Sequence, residues 1–312
     1  MSKLSPRVKA VIRNIIILVL CALAVFLYIK IKAWTTNEST GRLTSSDESR
    51  SYLLYVPDSY RRRTPTALVI ALHGYASKPS DIEFTSRWND LADQEGFIVV
   101  YPSASFSPKR WRSSVSGSPE KSTLLDVQYI SDLIDHLETK YNIDPNRVYV
   151  NGISQGGGMT YVIACQLADR VAAVGSVAGA YTYQFAQCKP SRPMPVIAFH
   201  GDEDPIVPYL GAGSTGYYFT LLPAPDWAAW WAEHNRCSET STVSQASEVD
   251  RTDYQDCDDG ADVVFYTIFG GGHTWPGDPS STDSPEWGYT THQIDATALM
   301  WEFFKEHPLS TP

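Results

Sequence analysis

The run Arg147-Val-Tyr-Val-Asn151-Gly152-Ile153-Ser154-Gln155-Gly156-Gly157-Gly158-Met159 constrains the chain more than any other. A β-branched and aromatic stretch enters a glycine-flanked turn and leaves at once on a helical pattern. A strand that turns so sharply into a helix belongs to a β-α unit, in which the next strand returns parallel to the first. The rest of the chain repeats that alternation. Strands are predicted at 52–56, 67–72, 97–101, 147–151, 171–177, 195–199 and 263–268, and helices at 84–94, 124–141, 155–167, 224–235 and 292–307. The expected fold class is α/β, with a mostly parallel central sheet and helices on both faces. The segment Gly211–Pro223 resists assignment and reads as a loop near the site.

The first 32 residues read as an address. Lys3, Arg7, Lys9, Arg13, Lys30 and Lys32 lie there without a single acid, around an uncharged run from Ile15 to Ile29. Fifteen helical residues reach roughly 22 Å, short of a ~30 Å hydrocarbon core, so the flanking apolar residues must extend the span and Arg13 and Lys30 must snorkel. Ala22-Leu23-Ala24 resembles a signal-peptidase site but lies in the middle of the run. One N-terminal transmembrane or signal-anchor helix is therefore expected at 15–31. A basic cytoplasmic segment 1–14 precedes it, and a polar stalk 32–49 leads to a catalytic domain over 50–312. The positive charges before the span place the N-terminus inside and the body outside, anchored or secreted.

The 35 Asp and Glu outnumber the 25 Lys and Arg, and the basic N-terminus makes the body more acidic still. Nucleic acid is excluded as a partner, because such binders need a basic face. Of five cysteines, Cys21 lies in the apolar run, leaving Cys165, Cys188, Cys237 and Cys257 as an even set. Three pairings are possible, and closeness in sequence favours Cys165–Cys188 and Cys237–Cys257. No cysteine or histidine spacing suggests zinc, and no metal or organic cofactor is expected.

Catalytic groups in such sheets gather at the carboxyl ends of strands. Ser154, in Gly152-x-Ser154-x-Gly156, would present its hydroxyl at a helix N-terminus, where free N–H groups favour a developing oxyanion. A serine hydroxyl needs a base at neutral pH. Of seven histidines, His273 follows the strand 263–268 in a glycine-rich loop; His136, His234, His292 and His307 fall on predicted helices. The base needs an acid to hold its tautomer. Asp202, Glu203 and Asp204 all follow His200-Gly201, and spacing does not choose between Asp202 and Asp204. Leu72-His73-Gly74-Tyr75 ends another strand, and its Tyr75 N–H is expected to form an oxyanion hole with that of Gln155. His73 and His200 then read as loop-orienting residues. Trp111, Trp275 and Trp287 fall in loops, and Trp111 and Trp275 are the expected substrate-binding aromatics.

With these motifs in this order, the chain resembles the polyhydroxybutyrate depolymerase-like esterases, which overlap with feruloyl and acetyl-xylan esterases of the α/β-hydrolase superfamily. The likeness runs from about Tyr52 to Pro308. It is carried by Leu72-His-Gly-Tyr75, the run from Asp144 through Ser154 to Thr160, Phe199-His-Gly-x-x-Asp204-x-x-Val-Pro-Tyr209, Gly271-Gly-His273-Thr-Trp-Pro-Gly277 and Ile294-Asp-Ala-Thr-x-x-x-Trp301-x-Phe-Phe304. The resemblance implies an α/β-hydrolase fold, Asp204 as the acid, disulfides at the four cysteines, and hydrolysis of plant cell-wall feruloyl or acetyl esters or of hydroxyalkanoate polyester. Two departures bear on the acyl pocket: Tyr75 stands where many relatives have a small residue, and Lys109-Arg-Trp111-Arg112 where they often have Cys-Trp-x-Trp. Two rivals are a serine peptidase of the same fold and an inert surface carbohydrate-binding protein. No propeller or large cap is encoded for the first, and no member of the serine–histidine–acid set is missing as the second would expect.

Overall fold

Strand β3 (Thr66–Leu72) is buried at all seven positions, and β4 (Ile98–Pro102), β6 (Ala173–Val177) and β7 (Val196–Gly201) are likewise buried throughout. Apolar runs covered on both sides are what the centre of a parallel sheet requires. The computed structural model describes residues 38–113, 121–182, 185–212 and 220–309, together with Asn14. The expected anchor 15–31, the basic segment before it and the start of the stalk lie outside the described residues. Among the described residues no helix is long and apolar enough to cross a membrane.

One ten-stranded mixed sheet runs in the order β1-β2-β4-β3-β5-β6-β7-β10-β9-β8. Its middle, from β4 through β3, β5 (Ile143–Ile153), β6 and β7 to β10 (Val263–Ile268), is parallel. Antiparallel strands extend it on both sides, with β2 (Glu48–Tyr55) on β4 and the pair β9 (Val249–Gln255) and β8 (Glu239–Ala246) on β10. Alternation divides the core cleanly. Leu68, Ile70 and Leu72 pack beneath α3 (Lys121–Glu138), α4 (Gln155–Gln166) and α5 (Ala224–His234), while Ala67, Val69 and Ala71 pack beneath α1 (Pro79–Ser86), α2 (Trp88–Glu95) and α6 (Ala296–Glu306).

Four readings change. The polar stalk was expected to continue to residue 49, but β1 (Glu38–Ser45) and β2 begin within it. They are joined by Ser46-Asp47, both at positive φ, the turn that suits a two-residue hairpin. An edge hairpin can be polar because part of it faces water. The hairpin β8–β9 went unread for the same reason, since β8 is exposed along nearly its whole length. The single helix 84–94 is two helices, separated by Arg87 in the left-handed region at φ 54°. The last helix begins only at Ala296, where the Asp295 side chain accepts the Thr297 and Ala298 amides at 2.9 and 3.1 Å. Of the loop 211–223, Ala212 and Leu221 pair as an isolated bridge. Disulfides join Cys165 to Cys188 and Cys237 to Cys257, the pairing that closeness in sequence favoured.

Candidate active site

Strand β5 ends and α4 begins at Ser154, which adopts φ 59° and ψ −123°. An L-residue there is strained by ~1–3 kcal/mol, so its surroundings must hold it. They do so through the backbone: the Ser154 amide donates to Val177 O at 2.9 Å, and its carbonyl accepts the Gly158 and Ala180 amides, each at 2.9 Å. Gly156 lets the turn close, since a Cβ there would stand 2.2 Å from Leu72 O and 2.7 Å from His73 O. The Ser154 side chain makes no capping bond to its helix and faces the loop after β3. A side chain at Gly74 would come within 3.3 Å of Ser154 Cβ.

Strands β7 and β10 bring the acid and the histidine together. His273 Nδ1 donates to Asp204 Oδ2 at 2.7 Å, which leaves Nε2 as the ring's other nitrogen, and both residues are buried. Asp204 Oδ1 accepts the Ile206 and Val207 amides, each at 2.8 Å, so the carboxylate is fixed on both oxygens. His200 stands behind it, with Nε2 donating to Val207 O at 2.8 Å and lying 3.6 Å from Asp204 Oδ2. Burial pushes the His200 imidazole below its usual range, favouring the neutral ring. Asp202 does a different job, accepting the Gly270 amide at 2.6 Å and tying down the loop that carries His273.

The loop after β3 is held by side chains from far along the chain. His73 Nδ1 donates to Gly74 O at 2.7 Å while its Nε2 accepts the Ala104 amide at 3.0 Å, so hydrogen bonding selects the Nδ1–H tautomer. Burial lowers its pKa to about 4. The Trp111 indole donates to His73 O at 2.8 Å, and the Gln155 amide grips the Trp111 backbone from both sides, accepting from N at 2.9 Å and donating to O at 3.1 Å. Behind Trp111, Arg112 and Arg50 share Asp126 Oδ1 at 2.9 and 2.8 Å.

Ser154, His273, Gly74 and Tyr75 open on one cleft of about 560 Å³. Tyr75, Phe84 and Trp287 are its exposed aromatic residues. Among the described residues, no lysine or arginine lines it, and no three His, Cys, Asp or Glu side chains gather to hold a metal.

The profile of the family described as "Esterase PHB depolymerase" matches residues 50–214, more than half of the chain. This chain belongs to that family. Among its relatives, it is 30% identical over 236 residues to a bifunctional acetylxylan esterase/xylanase of Neocallimastix patriciarum, a match covering 75% of this chain and 32% of that protein. It is 30% identical over 233 residues to feruloyl esterase B of Piromyces equi, covering 72% of this chain and 42% of that one. The chain thus spans about a third to two-fifths of the length of these relatives. An acetyl xylan esterase from Aspergillus awamori superposes with a TM-score of 0.58 at 19% identity, covering 76% of this chain and 94% of that one, which shows a shared fold.

Within this PHB depolymerase family member, the expected residues fall into three groups. Ser154, His273 and Tyr75 line the cleft, and Asp204 stands behind His273. Trp275 reaches the cleft only with an edge, being 2% exposed and bonded through Nε1 to Thr297 Oγ1 at 3.0 Å. Trp111 does not line it: at 2% exposure, with its indole turned onto His73 O, it supports the β3 loop from beneath. The loop position that suggested a substrate contact for Trp111 is a buried one, because the segment 103–112 folds back against α4. Sequence reasoning missed Phe84 and Asp278, both cleft residues. Phe84 was read only as the first residue of the helix 84–94, and it lies near the end of α1, exposed. Asp278 directly follows the His273-Thr-Trp-Pro-Gly277 motif, and that proximity was the available signal.

Proposed function

We propose that this chain is a serine carboxylesterase acting through an acyl-enzyme on plant cell-wall feruloyl or acetyl esters or on hydroxyalkanoate polyesters. One observation carries the reading: His273, held by the buried Asp204, and the left-handed Ser154 line one cleft. Ser154 Oγ attacks the ester carbonyl as His273 Nε2 takes its proton. Asp204 holds the Nδ1–H and stabilises the imidazolium that forms. The Tyr75 and Gln155 amides donate to the tetrahedral oxyanion. His273 returns the proton to the departing alcohol, then takes one from water as that water attacks the acyl-enzyme. Release of the acid restores the Ser154 hydroxyl.

The names of the relatives, an acetylxylan esterase and a feruloyl esterase, support the ester classes. The absence of cationic side chains from the lining, among the described residues, supports neutral substrates. Two disulfides support an oxidising compartment. Together with the apolar run 15–31, they support a catalytic domain that begins at β1 and is held outside a membrane or secreted. The test uses the full chain beside its Ser154→Ala variant on p-nitrophenyl acetate, methyl ferulate, acetylated xylan and a hydroxybutyrate oligomer. Turnover lost in the variant is the expected result. Equal inertness of both folded proteins on all four substrates would overturn the reading.

A further inference from the structure

Asp278 is a buried acid without a counter-charge. It lines the cleft and is only 6% exposed. Its Oδ1 accepts the amide and the hydroxyl of Ser280, at 2.9 and 2.6 Å, whereas Oδ2 has no hydrogen-bond partner among the described residues. A carboxylate taken out of water is costly unless a cation or a full set of donors meets both oxygens. Here one oxygen is met, and the other is left to whatever occupies the cleft. The second acid of the lining, Asp81, is already engaged. Its Oδ2 accepts the Ser77 hydroxyl and the Lys78 amide at 2.9 and 3.0 Å, and Lys78 Nζ stands 3.9 Å from its Oδ1.

The exposed rings of the same cleft are Tyr75, Phe84 and Trp287. The negative face of an aromatic ring attracts a cation, and an ammonium group is held where such a face and a carboxylate meet. A neutral ester would leave the Asp278 charge unpaired, and an anionic one would be repelled by it.

The chemistry of the leaving step says which half of the ester carries the cation. The leaving oxygen must lie within hydrogen-bond reach of His273, which supplies its proton. The Trp287 ring lies 6.0 Å from the His273 ring, centre to centre, with 23° between the planes, and Trp287 O accepts the His273 amide at 2.6 Å. Asp278 and Trp287 belong to the one segment 273–287 that borders the cleft beside His273, so the departing alcohol passes along both.

We propose that the cleft takes esters of cationic alcohols, amino or quaternary ammonium, with Asp278 as the counter-charge and Trp287 as the ring against the ammonium. The proposal rests on the serine-esterase reading above and extends its substrates beyond neutral esters. Hydrolysis itself is unchanged: the acyl–oxygen bond breaks, His273 protonates the alcohol oxygen, and the ammonium keeps its charge throughout. The excess of acids in the chain, 35 against 25 Lys and Arg, draws the same substrates at long range.

The test compares kcat/KM for acetylcholine and for 3,3-dimethylbutyl acetate, esters of one shape in which a carbon replaces the charged nitrogen. Wild type is expected to favour acetylcholine by about tenfold, the size of a desolvated cation–ring contact. Asp278→Asn should lower that ratio by about fivefold and Trp287→Ala by about threefold, with Trp287→Phe keeping most of it. Each ratio is taken within one protein, so a loss of folded fraction cancels. A wild-type ratio of one or less, a ratio unmoved by Asp278→Asn, or inertness on both esters beside serine-dependent turnover of p-nitrophenyl acetate overturns the proposal. The Ser154→Ala control separates the two readings. Hydrolysis of 3,3-dimethylbutyl acetate that survives it removes the esterase reading, whereas serine-dependent hydrolysis with a ratio of one removes only the cationic subsite.

Discussion

The junctions after β5 and after β3 lie against each other beside Ser154, yet they are built by opposite means. The β5 junction is held by backbone alone: Ser154 bonds to Val177, Gly158 and Ala180, and Gly156 sits against Leu72 O with no room for a methyl group. The β3 junction has one such backbone tie, the Ala76 amide to Lys109 O at 2.7 Å, but is held mainly by side chains, with His73, Trp111 and Gln155 forming a chain of bonds from one loop to the next. The first device has its parts within a few residues of one another. The second draws them from Ala104, Trp111 and Gln155. Rigidity from backbone contact tolerates no added atom, whereas rigidity from a side-chain chain of bonds can be loosened by degrees.

That contrast can be broken most sharply at the β5 junction. Ser154→Ala leaves every backbone bond in place and should cost about 10⁴-fold or more in kcat with an unchanged melting curve. Gly156→Ala should do the reverse, adding a methyl group into Leu72 O and costing about 3 kcal/mol of stability in a denaturant titration. A loss below about 1 kcal/mol, within the scatter of ordinary substitutions, would mean that the turn is more compliant than its contacts imply.

The β3 junction should respond to acid, because it is the one that uses a buried imidazole. His73 has a folded-state pKa of about 4 against the usual 6.5, so between those values the unfolded chain binds the extra proton. Its contribution, on the order of 3 kcal/mol, is intact above pH 6.5 and is lost as pH falls towards 4. Denaturant titrations at pH 7 and pH 5 on wild type and His73→Gln should show a shallower pH dependence in the variant. His200 titrates with the same sign, so the slope should diminish rather than vanish. The smallest effect is expected from Trp111→Phe, which keeps the buried ring and deletes the donor to His73 O. It should cost about 1–2 kcal/mol and lower kcat by roughly tenfold with KM little changed, as the Tyr75 amide loses its aim.

The same contrast explains what could be read in the sequence. The alternation of strands and helices, the parallel centre of the sheet, the turn at Ser154 and the strand ends carrying Asp204 and His273 were all legible, because apolar periodicity and glycine spacing are local signals. Asp202 and Asp204 were indistinguishable by spacing, because the choice depends on which carboxylate the β7–β10 register turns towards His273. Trp111 was misread because a buried tryptophan and a cleft tryptophan look alike until the loop's fold is known. The edge strands β1, β8 and β9 went unread for the opposite reason, their largely polar faces carrying little apolar pattern, while β2 was read only over its apolar end. Long-range pairing and solvent exposure are the two things a single sequence encodes least directly.

The left-handed backbone of Ser154 has an evolutionary consequence. Glycine accepts φ 59° without penalty, so Ser154→Gly should fold about 1 kcal/mol more stably than the parent. Selection for thermal endurance alone would therefore drift towards losing the hydroxyl, and only demand for turnover keeps a serine where the chain would rest more easily without one.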